Sequence, residues 1–536
     1  MKILKSFLLV LLPIFCIAQQ QNLPLNYDWN NRVQRFIKPE AHFHTAIKPY
    51  NMQEVYQALD DVQNELALPD TNSTGFKFGL TKGDLVSLRA KKKPQFYFAV
   101  NPIIDAQFGY DIKEKNFQYS VGYGAQLNAD LGRKVSLSFT YQGVNEDYYS
   151  RIKQYAQEYG VLTGYRKANI NSNSINSNMM SGYLSFSPNK YFNLQVGNDK
   201  QFWGEGYRSF FLSDNASNYP YFRMSTQFWR IKYVYLLNVM RYGEADIFNI
   251  DNNPSNFKTK YGSYHYLSVD VAKWMQFGFF EGVTWYHADS NRTRGLEWNY
   301  LNPLLFIRPI EFGLGSPDNV ILGFNFNFRP NPKNNLYIQV VLDDMDVAKA
   351  RRGRGFYRTK VAAQFGYKAL DIFKVKHLDV ITEFNVVRPF VFAHKTPAQN
   401  YTNFNQSLTH PLGANFYEAI LKINYWNKHW IASAQLQYAK QGLDALYQHN
   451  GSNIFVTDYL IASDLNAAYN NNFLQGIKTN LIALNVKGGY LINPKLNMSI
   501  QANINYRQHK NDVFKSQQTY FGLSFATDLF NRYTDF

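Results

Sequence analysis

Four short clusters in this sequence carry residue types that do chemistry elsewhere. "GLGSP" at 313–317 sets a serine among glycines, and "HFH" at 42–44 alternates two histidines. "DDMD" at 343–346 groups three carboxylates, and "KARRGRGFYR" at 349–358 brings together Arg351, Arg352, Arg354 and Arg358. Spacing decides against catalysis in the first three. A nucleophile elbow needs G-x-S-x-G, but Gly315 stands where the serine belongs and Pro317 where the second glycine does. Two histidines need further ligands to hold zinc, and none follows nearby, so a surface pair is the plainer reading. "DDMD" lacks the glycine and the distal glutamate of a calcium loop. The chain is therefore expected to be no enzyme and to hold no metal or other cofactor. The arginine cluster suits an acidic glycan or the phosphates of lipopolysaccharide.

A fifth stretch has a different character. "QFWGEGYRSFFLSDNASNYPYFR", residues 201–223, places eight aromatic side chains among glycines, asparagines and two arginines, without a helical or strand period. Aromatic faces interleaved with polar groups suit sugar rings, whose C–H faces stack while their hydroxyls bond. Trp203, Arg208, Asp214 and Asn215 are the candidates there. Two other readings stay open: an internal plug, and an interfacial girdle.

The elements that must position these residues are strands. From Gln95 onward the apolar period is 2, as in Val135, Leu137, Phe139 and Tyr141 alternating with Ser136, Ser138, Thr140 and Gln142. The segment 484–506 repeats the pattern on either side of an "NPK" turn. Such alternation over more than 400 residues, with 40 Tyr and 43 Phe against 8 Trp, fits a barrel whose lipid face is apolar and whose rims are aromatic. Short turns fall near 132, 188, 229, 272, 331, 372, 427 and 494, and long polar segments lie between them. Adding short external loops near 111–116 and 508–515 predicts an all-β, transmembrane outer-membrane β-barrel of about 18 antiparallel strands. The ending "SFATDLFNRYTDF" predicts a closing strand with Phe536 as a terminal assembly signal.

The start of the chain sets the compartment. Two lysines precede the apolar run "FLLVLLPIFCIA", which is too short to span a bilayer and ends in small residues. Residues 1–18 are expected to be a removed signal peptide, which would take Cys16, the only cysteine, with it. The formal charge of +16 points to polyanionic partners such as lipopolysaccharide or acidic glycans rather than nucleic acid, or to a charged pore lining. Residues 19–94 form a periplasmic N-terminal segment in this reading, with a helix marked by Val55, Leu59, Val62 and Leu66 and ending at Pro69. The barrel then occupies 95–536.

"VGNDKQFWGEGYRSFFLSDNA", "YLNPLLFIRPIEFGLGSPDNVILGFNF", "LYIQVVLDD" and "FNVVRPFVFAHKTPAQNYTNFNQSLTHPLGANF" resemble, in this order, the Wzi-like capsule-assembly family. They are most similar to its Bacteroidetes branch, which includes the gliding-motility protein RemB, and "HFHTAIKPY" fits that branch too. The resemblance covers most of the chain. It implies an outer-membrane barrel with a small helical element at its periplasmic end, attaching or assembling surface polysaccharide at the cell surface, or supporting gliding with other motility or cell-surface proteins. Carried over, it singles out Trp203, Gly204, Gly206 and Arg208, then Arg308, Glu311, Ser316, Asp318 and Asn319, then Arg388, His394, His410 and Asn415. Arg and Glu among them suit either a ligand site or a luminal ion-pair network. The competing function is a porin or nutrient-uptake channel.

Overall fold

The computed structural model describes residues 20–59, 74–79, 81, 83–90, 95–171, 174–243, 257–288, 293–304, 318–343, 347–351, 353–445, 448–458, 465–527 and 529–536. The expected signal peptide lies outside them. Eighteen long strands close into one antiparallel barrel. The first six are β1 (Phe96–Asp111), β2 (Asn116–Leu131), β3 (Val135–Asp147), β4 (Ile175–Phe186), β5 (Phe192–Asp199) and β6 (Tyr219–Phe228). The next six are β7 (Ile231–Tyr242), β8 (Lys258–Ala272), β9 (Met275–Tyr286), β10 (Asn319–Asn331), β11 (Asn334–Asp343) and β12 (Val361–Ala369). The last are β13 (Leu378–Val387), β14 (Phe416–Asn427), β15 (Trp430–Leu443), β16 (Ile477–Asn493), β17 (Met498–Lys510) and β18 (Lys515–Thr527).

The period-2 pattern makes these strands because each must satisfy two surroundings at once. On β3 Leu137 and Phe139 are exposed on the outside, whereas Ser136, Ser138 and Thr140 are buried inside. On β17 Ile500 and Ile504 face out, whereas Gln501 and Asn503 face in. Closing the sheet pairs Tyr520–Ala526 of β18 with Asp111–Asp105 of β1. The lower half of β1, Phe96–Val100, pairs instead with Val86–Ala90, the inner strand of a hairpin whose other strand is Gly75–Phe78. Asp84 in that hairpin's bend meets Lys495 at 2.7 Å, fixing it to the β16–β17 turn. This pairing covers the stagger at the seam and leaves the short strand Gly75–Phe78 as the outer one.

Connections at one end are short, as the sequence predicts, and those at the other are mostly long. Trp229, Trp274, Phe373 and Trp430 stand exposed around the short-turn end, as a membrane-interface belt requires.

The lumen is filled by the chain itself. Residues 20–59 lie inside the wall at the short-turn end, with helices α1 (Tyr27–Gln34) and α2 (Met52–Ala58) capped by Asn26 and Asn51. Their charged groups bond to inward-facing wall residues: Asp28 to Lys422 at 2.8 Å, Arg35 to Asp379 at 2.7 Å, His42 to Asp270 at 3.0 Å, and Glu54 to Lys232. The helix predicted to continue past Leu59 stops at Ala58, where Leu59 turns to extended geometry. Val62 and Leu66 lie outside the described residues.

At the C-terminus the expected closing strand is present, and the place of Phe536 is corrected. The closing strand ends at Thr527, and residues 529–536 turn up into the lumen. There Arg532 forms a two-pronged bond to Glu146 at 2.6 and 2.7 Å, and Asp535 meets Arg208 at 2.9 Å. Phe536 packs 5.5 Å from Tyr155 of the loop helix α3 (Ser150–Tyr159). Its ring is thus a luminal packing group and not the end of a wall strand.

Candidate functional site

The aromatic stretch forms the centre of the lumen. Trp203 and Phe202 pair antiparallel with Ile47 and Lys48 of the N-terminal segment. Gly204 N–H donates to Ala46 O at 2.7 Å, and Thr45 donates to Glu205 at 2.7 Å. Trp203 is fully buried, edge-on to Tyr266 and Phe280 at 5.9 and 6.1 Å. Phe211 stacks flat on Phe280 at 4.7 Å. Phe392, Tyr401 and Leu408 from the β13–β14 loop complete this core, with the Tyr401 hydroxyl donating to Phe211 O at 2.7 Å. A sugar has no access to these rings. Of the readings open for this stretch, burial favours the plug.

Arg208 is the polar counterpart of that core. Its guanidinium meets Asp535 at 2.9 Å and Glu418 at 3.3 Å and lies over the rings of Tyr207 and Tyr533. Glu418 also bonds His410 at 2.7 Å and Asn385 at 2.9 Å. Glu383 accepts the backbone N–H groups of Tyr207 and Arg208 at 2.7 and 3.1 Å. Its charged members Arg208, Asp535, Glu418 and Glu383 are all buried, so each is held by partners of opposite sign or by donors, as burial demands. Gly204 and Gly206 allow close approach. A Cβ on Gly206 would fall 2.1 Å from Glu383 Oε2, and one on Gly204 2.7 Å from Ser209 Oγ. Lys48 lies in the same interior, where burial pushes its ammonium down to about 7 against the pull of Glu205. His44 is pushed well below the usual histidine range by burial and by Lys232 and Arg329, and is neutral.

The other expected site residues are scattered. Asp214 accepts from Tyr533 and Asn531, both at 2.8 Å, inside the lumen. Asn215, half-buried, donates to Ser407 O at 3.0 Å. Asp318 takes a two-pronged bond from Arg294 at 2.7 and 2.9 Å. Asn319 donates to Gln399 O at 3.0 Å, and His394 Nδ1 lies 3.1 Å from Gln399 Oε1. Arg388, half-buried, donates to Thr359 O at 2.9 Å. Asn415 adopts φ 58° and bridges to Gly442 O at 2.7 Å. Arg308, Glu311 and Ser316, with the rest of "GLGSP", lie outside the described residues. Of "DDMD", Asp343 accepts the Phe392 N–H at 2.6 Å and the other three lie outside the described residues. Of the "HFH" pair, His42 meets Asp270 at 3.0 Å and His44 meets Ser268 at 2.8 Å. Among the described residues no three His, Cys, Asp or Glu side chains gather to hold a metal ion.

Sequence reasoning missed Glu383, Glu418 and Asp535. The signal for the first two was present: both are carboxylates at inward positions of otherwise regular strands. Arg351 and Arg354, by contrast, are exposed at the long-loop end, above an anchor of buried Phe356 and Tyr357. Within the lumen a polar cavity of about 290 Å³ remains beside residues 529–535, lined by Gln107, Gln435, Asn485, Lys487, Asn503 and Asn505 among others.

Three comparisons place this architecture. No curated protein matches the sequence. Among solved structures, the chain is similar to Wzi of Escherichia coli, an outer-membrane protein involved in group 1 capsule assembly and a carbohydrate-binding β-barrel. That match has a TM-score of 0.55 at 12% identity, over 94% of this chain and 98% of that one. It is also similar to OprD of Pseudomonas aeruginosa (TM-score 0.41, 8% identity, 80% of this chain and 94% of that one). OpdK of the same organism, solved with vanillate, gives a TM-score of 0.42 at 9% identity, over 80% and 97%. The family described as capsule assembly protein Wzi matches residues 98–520. With its closed barrel and the family's sequence pattern running through nearly all of the wall, this chain belongs to the Wzi capsule-assembly family.

Proposed function

We propose that this chain, after loss of residues 1–18, is a non-catalytic outer-membrane protein that holds surface polysaccharide during capsule attachment or assembly. In the gliding branch that its motifs resemble, the same hold would carry movement over surfaces together with other motility proteins. Family membership supports the capsule role, and carbohydrate binding by Wzi of Escherichia coli supports the ligand class. The observation that carries the reading is the filled lumen. Trp203, Phe210, Phe211, Phe280 and Phe392 are fully buried where a channel would hold water. That arrangement disfavours a porin and leaves the long-loop face as the working surface.

On that face the glycan contacts fall to exposed groups such as Arg351 and Arg354, joined by the half-buried Asn215 and Arg388. Forked guanidinium donors pair with carboxylates or phosphates of an acidic glycan or of lipopolysaccharide. The purified protein in a planar bilayer should show no stepwise conductance and should bind polysaccharide isolated from its own cell surface. Stable porin-like conductance together with no polysaccharide binding would replace this reading with a channel.

A further inference from the structure

The outward face of the wall is apolar around most of its circumference. Leu436, Leu484, Ile500 and Leu523 on β15–β18, and Leu137, Leu184 and Val196 on β3–β5, all stand exposed there. One sector departs from this. On β8 and β9 the inward positions are taken by Tyr264, Tyr266 and Phe280, which belong to the luminal core. Alternation therefore turns Ser263, His265 and Glu281 outward, and His265 lies directly opposite Glu281 in the β8–β9 register. Ionisable groups facing hydrocarbon near mid-height are costly. Yet Ser263 and His265 are 0% exposed and Glu281 3%.

What covers them is the segment 293–304 of the connection from β9 to β10. It descends along the outside of the barrel from the long-loop end. Arg294 holds its upper part to Asp318 at 2.7 Å. Lower down, Trp285 Nε1 donates to Gly295 O at 3.2 Å and Ser263 Oγ to Tyr300 O at 2.8 Å. Farther still, the Tyr233 hydroxyl donates to Pro303 O at 2.8 Å and lies 2.5 Å from His265 Nδ1. Tyr233 is the third residue of β7 from the short-turn end, just above the belt marked by Trp229. From the top of β7 to Tyr233 is about 30 Å along the strand at roughly 3.3 Å per residue, most of the depth of a bilayer. The underside of this segment packs Tyr300 against Val283, Trp285 and Val320. Its far side bears Leu296, Trp298 and Leu304, which are 44%, 82% and 65% exposed.

We propose that residues 294–304 form a membrane-inserted strap, whose Leu296, Trp298 and Leu304 contact lipid hydrocarbon while its underside keeps the His265–Glu281 pair away from it. The apolar side chains continue the lipid-facing band of the neighbouring strands. Backbone carbonyls of the strap, which lipid does not supply, accept from Ser263, Tyr233 and Trp285 beneath it.

The test uses the folded barrel in vesicles of phosphatidylcholine brominated on its acyl chains. The Trp298 emission, taken as the difference between the parent and Trp298→Phe, should lose most of its intensity there and be little affected by aqueous iodide. Quenching by iodide but not by the brominated chains would overturn the proposal. A second measurement addresses the shielding. Replacing 294–304 by a short Gly/Ser linker should sharply reduce the heat-modifiable barrel, and adding His265→Leu with Glu281→Leu should restore it. A strapless barrel that assembles like the parent, or one that the double substitution fails to rescue, would show that the strap shields nothing.

Discussion

Two loops at the same end of the barrel have similar compositions and opposite fates. Residues 200–218 and 347–358 both mix glycine, arginine and aromatic side chains. In the first, Arg208 is buried against Asp535 and Glu418, and the aromatics fill the lumen. In the second, Phe356 and Tyr357 are buried at the base while Arg351 and Arg354 face solvent. The difference lies in what each loop faces. Glu383 and Glu418 wait on the inner wall for the first loop, whereas the second meets a neighbouring loop, where Phe356 packs on Tyr469 and Asn470 N–H donates to Arg354 O at 2.7 Å. Composition selects candidates, and the carboxylates opposite decide between plug and working surface.

That contrast can be broken at several strengths. The largest effects are expected inside. Arg208→Ala would leave Glu418 and Asp535 buried without their cation and should cost about 3 to 5 kcal/mol. Trp203→Ala should cost a similar amount, about 3 to 5 kcal/mol, by opening a cavity in the core. Both should appear as loss of the heat-modifiable form on gels and as a lower urea midpoint. Unchanged midpoints would mean that the inner loop does not hold the lumen.

Glycines sharpen the comparison at smaller cost. Gly206→Ala forces a Cβ against Glu383, which is already held by Tyr207 N–H and the Tyr337 hydroxyl, and should cost about 1 to 3 kcal/mol. Gly353 in the outer loop has open space around it and only a φ of 73° to keep, so Gly353→Ala should cost about 1 kcal/mol. Equal urea midpoints for the two variants would erase the distinction between close approach and turn geometry.

The smallest effect on folding belongs to Arg351→Ala with Arg354→Ala, expected to change stability by less than about 0.5 kcal/mol. Retention of surface polysaccharide by cells carrying that variant should nevertheless fall. Destabilisation on the scale of Arg208→Ala would place these arginines in the same structural class as the inner one.

The wall was legible because two surroundings impose period 2, and the turn positions follow wherever alternation stops. The region 222–240 carries the alternation least clearly, for a physical reason. Val234, Leu236 and Met240 face the luminal core while Tyr235, Leu237 and Val239 face outward, so β7 is apolar on both faces and shows no alternation. That doubly apolar run was itself a sign of a packed lumen. The site was less legible, since Trp203 and Arg208 look alike whether they meet a sugar or Phe280 and Glu418. The pairing of Ile47 with Trp203 joins residues far apart in sequence, and no local pattern encodes it. Phe536 misled because a terminal aromatic reads equally as a strand end or as a packing group.

The two-residue ladder at the heart of the lumen also has a mechanical meaning. Residues 45–48 enter from the short-turn side, and 200–218 hang from the long-loop side. They meet through Ile47 and Trp203, Gly204 N–H to Ala46 O, and the Lys48 ammonium to Gly204 O at 2.7 Å. A tug on the external crown therefore need not stop at the wall. It travels down one loop, crosses a handful of hydrogen bonds, and arrives at the segment that fills the other end of the lumen. Those bonds form a load path within the lumen.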